Sequence, residues 1–198
     1  MSGRVGQVSR QTKETAIAVT VDIDGRGEVS VSTGIPFFDH MVSQLGKHGG
    51  WDLVVNATGD LEVDTHHTVE DVGIALGETF RAAVGDKAGV RRFASIDVPL
   101  DEALVEVAVD LSGRPFLHYD IDLPPDTAHL GSPGFDPQLA EEFWRAFATN
   151  AALTLHIRLR YGRNVHHIVE ASFKGVARAL RDAVRIEGVG LPSTKGVL

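Results

Sequence analysis

Two adjacent histidine pairs are the residues of this sequence whose types and spacing best suit chemistry. His66 and His67 are followed by Glu70, and the pattern His-His-x-x-Glu recurs one hundred residues later, from His166 to Glu170. The first His and the Glu of each motif are four residues apart, a spacing that places both on one face of an α-helix. Imidazole nitrogens and carboxylate oxygens that converge on one face are ligands for divalent transition metals. We therefore interpret each motif as part of a metal site.

The second histidine of each motif, His67 or His167, points about 100° around the helix from the first, so we expect it to serve a different ion. Applied to both motifs, this geometry predicts two metal ions. Each ion takes His and Glu from one motif and the second His of the other motif. The order of residues differs from the His-Glu-x-x-His of zinc proteases, so peptide hydrolysis has no support.

Each ion still needs a further donor, which we place on the helices that precede the two motifs. His40 lies 26 residues before His66, and Glu142 lies 24 residues before His166. These two residues would complete two four-donor sets and leave open positions for substrate. Without thiolate ligands such sites suit manganese, iron or zinc, and the residues alone leave that choice open.

Composition narrows the class of protein. A chain of 198 residues with 43% hydrophobic and 23% charged residues predicts one globular domain, neither disordered nor membrane-embedded. The 27 acidic residues outnumber the 19 basic ones, and the formal charge of −8 disfavours nucleic acid as a partner. The chain has no cysteine, which excludes disulfides and cysteine nucleophiles, and its N-terminus lacks the apolar stretch of a signal peptide. We expect a cytoplasmic protein with no membrane partner.

Hydrophobic periodicity predicts the elements that position these residues. In the first half the predicted elements are a half-buried hairpin of strands 16–23 and 29–31, a helix that starts at Pro36 and ends at Gly49 and Gly50, strands 51–57 and 61–63, and a helix over 69–84. In the second half they are strands 92–99, 104–111 and 114–121, a helix over 138–151, a strand over 153–161 and a helix over 166–184.

The same order of elements around each His-His-x-x-Glu motif indicates internal duplication. We predict a single domain, 1–198, made of halves that cover approximately 8–91 and 92–190. The predicted fold class is α+β, with two sheet-plus-two-helix units packed helix to helix, as in the ribosomal protein S5 domain 2-like folds.

With these residues identified, the chain closely resembles the imidazoleglycerol-phosphate dehydratase family over nearly its whole length. The matching stretches are RQTKET (10–15), GIPFFDHM (34–41), HHTVED (66–71), PLDEA (99–103), DLSGRP (110–115), HHIVEASF (166–173) and PSTKGVL (192–198). The resemblance implies a lyase of histidine biosynthesis that converts D-erythro-imidazoleglycerol phosphate to imidazole acetol phosphate and water. It also implies a homo-oligomer in which trimers assemble into a hollow 24-subunit particle with active sites between subunits.

The family's chemistry assigns roles to the metal ions and to one carboxylate. Two Mn²⁺ ions per active site are expected to act as Lewis acids and template, holding the substrate ring as imidazolate so that the neighbouring hydroxyl can leave. Glu14, in the family's matching motif, is the implied acid/base group that exchanges a substrate proton. From the sequence alone Glu14 would be a surface residue on a strand.

The resemblance also implies the residues that bind the rest of the substrate. The expected donors to its phosphate are Arg92, Arg114, Ser193 and Lys195. Further residues expected to line the pocket by their helical spacing from the metal ligands are Gln44, His48 and Lys174.

The chain departs from the family's pattern at Glu142, where many members carry a histidine ligand. A carboxylate can still bind manganese, so we expect the site to persist with an altered metal preference. An anionic donor would also make the metal a weaker Lewis acid. The remaining histidines, His118, His129 and His156, are expected to be ordinary strand or loop residues.

Two alternative functions stay open at this point. One is a metal-dependent hydrolase or isomerase on the same duplicated scaffold, which would need a metal-bound water and no imidazolate. The other is a noncatalytic metal-binding assembly module, which would need neither Glu14 nor the phosphate donors.

Overall fold

A computed structural model describes residues 3–124, 127–196 and 198, and the two halves of the chain show the same order of elements. The elements of the first half are β1 (Val5–Gln11), β2 (Thr15–Asp22), β3 (Val29–Ser32), α1 (Pro36–Gly49), β4 (Asp52–Gly59) and α2 (His66–Val84). Those of the second half are β5 (Phe93–Leu100), β6 (Ala103–Asp110), β7 (Phe116–Asp120), α3 (Leu139–Asn150), β8 (Thr154–Tyr161) and α4 (Val165–Ala183).

Each half forms a four-stranded sheet, and the four helices lie between the two sheets. The strand orders are β1-β2-β4-β3 and β5-β6-β8-β7, and in each sheet only the last pair of strands is parallel. Helices α1 and α2 pack on the first sheet and α3 and α4 on the second, while α1 contacts α4 and α2 contacts α3. This arrangement confirms the predicted duplicated α+β fold with helix-to-helix packing.

Strand register shows how closely the halves correspond. The β1–β2 partners Val5 and Asp22 recur as Phe93 and Asp110, at numbers 88 higher. Asp22 also pairs with Asp52, and Asp110 pairs with Thr154, so the offset at β4 and β8 is 102. The additional 14 residues of the second half therefore lie between β7 and α3. The predicted boundary at 91/92 falls between α2 and β5 and stays a prediction.

Three predictions about the first half are wrong. Strands β2 and β3 do not form a hairpin, because β4 lies between them and pairs with β3 in parallel. Strand β1, missed in the sequence, is an edge strand with several polar residues. Residues 61–63 form a turn closed by a hydrogen bond from the Val63 N–H to the Asp60 carbonyl, 2.8 Å long, and not a strand. Alternation shows which residues face the core, but it does not identify the neighbouring strand.

The remaining predicted elements are confirmed to within a few residues at their ends. Helix α1 begins with Pro36 in its first turn. It ends at Gly49 and is capped by Gly50, whose positive φ of 72° lets its N–H bond back to the Gly46 carbonyl. Within the described ranges, the helices are all too short or too polar to traverse a lipid bilayer.

Two glycines of α2 allow its backbone to approach α3 closely. A Cβ added at Gly73 would lie 2.8 Å from the Phe143 carbonyl oxygen, and one at Gly77 would lie 2.6 Å from that of Phe147. Aromatic side chains fill the space around this contact. The fully buried members are Trp51, Phe80, Phe143, Trp144, Phe147 and Phe173. The contact fixes α2, which carries the first His-His-x-x-Glu motif, against a helix of the other half.

Substitution of Gly77 by alanine tests this contact. Alanine is the better helix former by about 1 kcal/mol, but overpacking against a rigid backbone carbonyl costs about 1–3 kcal/mol. We expect Gly77→Ala to lower the thermal unfolding midpoint. The exposed residue Arg81 on the same helix provides the control, and Arg81→Ala should change stability by less than about 0.5 kcal/mol. A Gly77→Ala protein as stable as the parent would contradict this account of the contact.

Candidate metal centre and substrate site

Both His-His-x-x-Glu motifs occupy the first turn of a helix, as predicted. The side chain of Asn164 caps α4, because its Oδ1 accepts from the His166 N–H at 3.0 Å and the His167 N–H at 3.4 Å. Asp64, one hundred residues earlier, accepts from the His66 N–H at 2.7 Å. These hydrogen bonds hold each histidine pair at the helix N-terminus, where the side chains reach solvent.

Three donors converge where α1 packs against α4. Glu170 Oε2 lies 3.0 Å from His166 Nε2 and 3.4 Å from His40 Nε2. The three ligand atoms all lie within 4.8 Å of one another. Two imidazole nitrogens and one carboxylate oxygen fit a divalent transition metal and leave further coordination positions open. The contact between the halves therefore assembles three of the four donors predicted for one ion.

The buried carboxylate of this group is held ionised. Burial acts to raise the pKa of Glu170, but hydrogen bonds from Lys174 and His166, together with the charges of Lys174 and His40, outweigh burial and hold the pKa below its usual value. Lys174 Nζ lies 2.7 Å from Glu170 Oε1, so the lysine occupies one carboxylate oxygen and the imidazoles face the other. Glu170 is thus oriented before any ion binds.

The corresponding residues of the first half are less closely assembled. His66 Nε2 lies 3.6 Å from Glu70 Oε2, while Glu142 on α3 faces Arg145, with Oε2 3.6 Å from its Nε. Among the residues that the structure describes, the only three-donor group is the one around Glu170. Helix α3 does pack against α2, as α1 packs against α4, so Glu142 belongs to the helix that corresponds to that of His40. The ligand role of Glu142 stays a prediction.

Each second histidine faces a carboxylate of its own half. His67 Nδ1 lies 3.0 Å from Asp60 Oδ2, and this hydrogen bond is the main reason that the pKa of His67 is raised. His167 Nδ1 lies 2.8 Å from Glu102 Oε2. That bond, with the backbone N–H groups of residues 163 and 164, lowers the pKa of Glu102 to about 2. Within one chain, neither histidine joins the opposite motif.

Glu14 lies in the turn between β1 and β2, and not on a strand as expected. Its carboxylate is about half exposed, with Oε2 4.0 Å from His67 Nδ1. The turn is closed by Thr12, whose Oγ1 accepts from the Glu14 N–H at 3.1 Å. An open cavity of about 340 Å³ lies beside it, lined by residues 11–16, 58–60 and 62. Glu14 therefore combines access to solvent with proximity to a predicted metal ligand.

The predicted pocket residues of α1 and α4 lie along the contact between these helices. Gln44 Nε2 lies 3.3 Å from His40 Nδ1 and donates to the His40 carbonyl at 3.1 Å. Burial first, and then the positive charges of Lys174 and Arg178, lower the pKa of His48. The structure thus brings Gln44, His48 and Lys174 close to the three-donor group.

The expected phosphate donors form a separate cluster around Asp110. Arg92 donates from Nε to Asp110 Oδ1 at 2.7 Å and from Nη1 to the Pro192 carbonyl at 2.7 Å, which places the segment with Ser193 and Lys195 nearby. Arg114 Nη2 lies 3.8 Å from Asp110 Oδ2 and its side chain is exposed. We call Arg92, Arg114 and residues 192–195 the arginine cluster.

The arginine cluster lies far from the histidines of the same chain. The Arg92 N–H bonds to the carbonyl of Ala183, the last residue of α4, whereas His166 is in the first turn of that helix. At about 1.5 Å per residue, 17 residues of helix separate the two by about 25 Å. One chain therefore presents its predicted metal ligands and its predicted phosphate donors at opposite ends.

Asp60 and Glu102 are site residues that the sequence reasoning missed. Asp60 lies between the predicted strands 51–57 and 61–63, and it received no role. Glu102 stands in the matching stretch PLDEA, 65 residues before its partner His167, and it received no role. The stretch itself was the available signal, since a carboxylate beside a metal-binding histidine commonly orients it.

Comparison with known proteins gives a consistent match. A family model described as imidazoleglycerol-phosphate dehydratase matches residues 33–180. Relatives of that name from Acidothermus cellulolyticus and Thermoanaerobacter pseudethanolicus are each 55% identical to this chain, over 98% of it and over 93% and 100% of their own lengths. Among solved structures, the Pyrococcus furiosus enzyme in complex with (S)-C348 has a TM-score of 0.82 at 38% identity, covering 96% of this chain and 100% of its own. The Staphylococcus aureus N315 enzyme has a TM-score of 0.79 at 36% identity, covering 90% and 97%.

Removal of His40 tests the three-donor group. His40→Ala leaves only two donors, so we expect the affinity of metal-stripped protein for Mn²⁺ at this site to fall about tenfold or more. Equilibrium dialysis with metal analysis measures the change. His156, half-buried on the outer face of the second sheet, provides the control, and His156→Ala should bind as the parent does. Equal binding by all three proteins would show that His40 is not a ligand.

Proposed function

Because the chain belongs to the imidazoleglycerol-phosphate dehydratase family, we propose that its two His-His-x-x-Glu motifs hold two Mn²⁺ ions that serve one dehydration site. The activity is that of a hydro-lyase of histidine biosynthesis, which removes water from D-erythro-imidazoleglycerol phosphate to give imidazole acetol phosphate. Family membership sets aside the hydrolase, isomerase and noncatalytic alternatives. The observation that carries the metal proposal is the convergence of His40, His166 and Glu170.

The proposed ligand sets each draw on both halves of the duplication. The first set is His40, His166 and Glu170 with His67, and the second is His66, Glu70 and Glu142 with His167. Since neither His67 nor His167 joins the opposite motif within one chain, these two histidines would come from another copy. The close packing of α1 on α4 and of α2 on α3 supports these sets, since it pairs a helix of one half with the motif of the other. When bound, the ions would supply Lewis acidity to the substrate imidazole.

The separation of the arginine cluster from the histidines supports a site shared between chains. The substrate carries its phosphate on a three-carbon chain, which is far too short to span about 25 Å. A substrate bound at the histidines therefore needs the arginine cluster of another copy. This requirement fits a homo-oligomer with sites between subunits, and the assembly implied by the resemblance is a 24-mer built from trimers.

The chain's own side chains bind, orient and exchange protons in this proposal. Arg92, Arg114, Ser193 and Lys195 hold the phosphate, and their net positive charge offsets the acidic balance of the chain. Gln44, His48 and Lys174 line the pocket along α1 and α4. Glu14, which is exposed and close to His67, exchanges a proton with the substrate. A cytoplasmic location completes the proposal.

Replacement of Glu14 by glutamine tests its role. The amide keeps the shape of the side chain but cannot exchange a proton, so we expect turnover to fall about 100-fold or more. Affinities for Mn²⁺ and substrate should stay near those of the parent. Assay of the ketone product, alongside metal binding, separates these effects. Glu28 is also exposed but lies in another loop, and Glu28→Gln should be fully active. Turnover near the parental rate in Glu14→Gln would exclude this role.

A matched pair of acidic residues on α3 tests the ligand role of Glu142. Glu141 and Glu142 both contact Arg145, but only Glu142 corresponds in position to His40. We expect Glu142→Gln to weaken the binding of one of the two Mn²⁺ ions, whereas Glu141→Gln should leave both unchanged. Metal titration of stripped protein measures this difference. Identical titrations of the two variants would remove Glu142 from the ligand set.

A further inference from the structure

Glu14 and Glu102 occupy the same position in the two halves. The register of the strand pairs shifts by 88 residues between the halves, so the residue before β2 corresponds to the residue before β6. Both are glutamates, and each lies in the turn that approaches the second histidine of its own half. The duplication thus places a carboxylate beside His67 and another beside His167.

In the second half both oxygens of this carboxylate, that of Glu102, accept hydrogen bonds. Glu102 Oε2 accepts from His167 Nδ1 at 2.8 Å, and Oε1 accepts from the backbone N–H groups of Arg163 and Asn164 at 3.0 and 2.7 Å. A carboxylate can only accept, so Nδ1 must carry the hydrogen and Nε2 presents its lone pair. Glu102 therefore fixes both the tautomer of His167 and the turn that begins α4.

In the first half Asp60, and not Glu14, forms the hydrogen bond to the second histidine. Its two oxygens lie 3.0 and 3.3 Å from His67 Nδ1, whereas Glu14 stands 4.0 Å away. The Glu14 carboxylate makes no hydrogen bond to any residue that the structure describes, and its side chain is 54% exposed. The glutamate of this turn is therefore hydrogen-bonded through both oxygens in the second half, as Glu102, whereas in the first half, as Glu14, its carboxylate can reach a substrate.

The second half has no carboxylate at the position of Asp60. A register shift between Leu104 and Val105 raises the offset between β4 and β8 from 102 to 103 at this end of the strands, so Gly162 corresponds to Gly59 and Arg163 to Asp60. The Arg163 backbone N–H instead donates to Glu102 Oε1 at 3.0 Å. With an arginine in place of the aspartate, Glu102 provides the hydrogen bond to His167.

We propose that Glu102 and Asp60 are positioning residues that aim Nε2 of His167 and His67 at the metal ions, and that Asp60 thereby releases Glu14, the duplicate of Glu102, for proton exchange. This inference rests on the proposed function, since it assigns His67 and His167 as metal ligands. Carboxylates that orient a ligating histidine typically contribute 10- to 100-fold in metal affinity.

The first arm of the test measures Mn²⁺ affinity by the electron paramagnetic resonance signal of free Mn²⁺, in titrations of the metal-stripped full chain. Glu102→Ala should weaken one of the two ions about 10- to 100-fold and leave the other unchanged. Glu102→Gln, which keeps the side-chain volume, should weaken the same ion and guards against loss of folding. Glu106 on β6 contacts Arg160 at 3.0 Å and is the control, because Glu106→Ala should bind both ions as the parent does. Parental affinity in a folded Glu102→Gln protein would overturn the positioning role.

The second arm tests the release of Glu14. When Asp60 is replaced by alanine, Glu14 can move the short distance to His67 Nδ1, so Asp60→Ala should lose less than tenfold in affinity. Glu14→Gln alone should lose none, and the double variant should lose clearly more than the sum of the two, a non-additive result. Equal affinities of Asp60→Ala and the double variant would overturn the release of Glu14. A parent protein that binds no Mn²⁺ would overturn the metal proposal as well, whereas two bound ions with unaffected variants would overturn this inference alone.

Discussion

The contact between helices of opposite halves is the constraint on which the site depends. Neither sheet could assemble the three-donor group alone, because His40 is on α1 of the first half and Glu170 on α4 of the second. The apolar side of α1, with Phe38, Met41 and Leu45 fully buried, holds this helix in place while His40 reaches solvent. The burial of these side chains stabilises the fold and in the same step sets the distance from His40 to Glu170.

Two carboxylates of the site, Glu170 and Glu102, share one arrangement, in which a second partner fixes the oxygen that does not face an imidazole. Lys174 binds one oxygen of Glu170, and backbone N–H groups bind one oxygen of Glu102. Burying a carboxylate is costly unless it is paired, and Lys174 offsets that cost for the buried Glu170. In both residues the other oxygen stays aimed at a histidine. In this way a chain with a formal charge of −8 can concentrate acidic groups around the positions proposed for cations.

The features that the sequence could predict are those with local causes. A helix that starts at Pro36 and is capped at its end by Gly50, and two helices that begin at a histidine pair, depend on residues within a few positions of one another. The pairing of β3 with β4 has no such local signal, so the predicted hairpin was wrong. The same reason hides the bond from Glu102 to His167, whose partners meet only after β6 and β8 have paired.

The distance from the arginine cluster to the histidines has likewise no signature in the sequence, since it follows from the length of α4. The duplication supplies two equivalent metal-binding motifs, but the proposed function assigns only one of the two turn glutamates, Glu14, to proton exchange. The pseudosymmetry breaks at these turn carboxylates, because His67 Nδ1 bonds to Asp60 in the first half, whereas His167 Nδ1 bonds to Glu102, the counterpart of Glu14, in the second. The register of β4 and β8 places Arg163, which has no carboxylate, at the position of Asp60. An aspartate at one position of a turn thus distinguishes a glutamate that orients a histidine from one that is available to react.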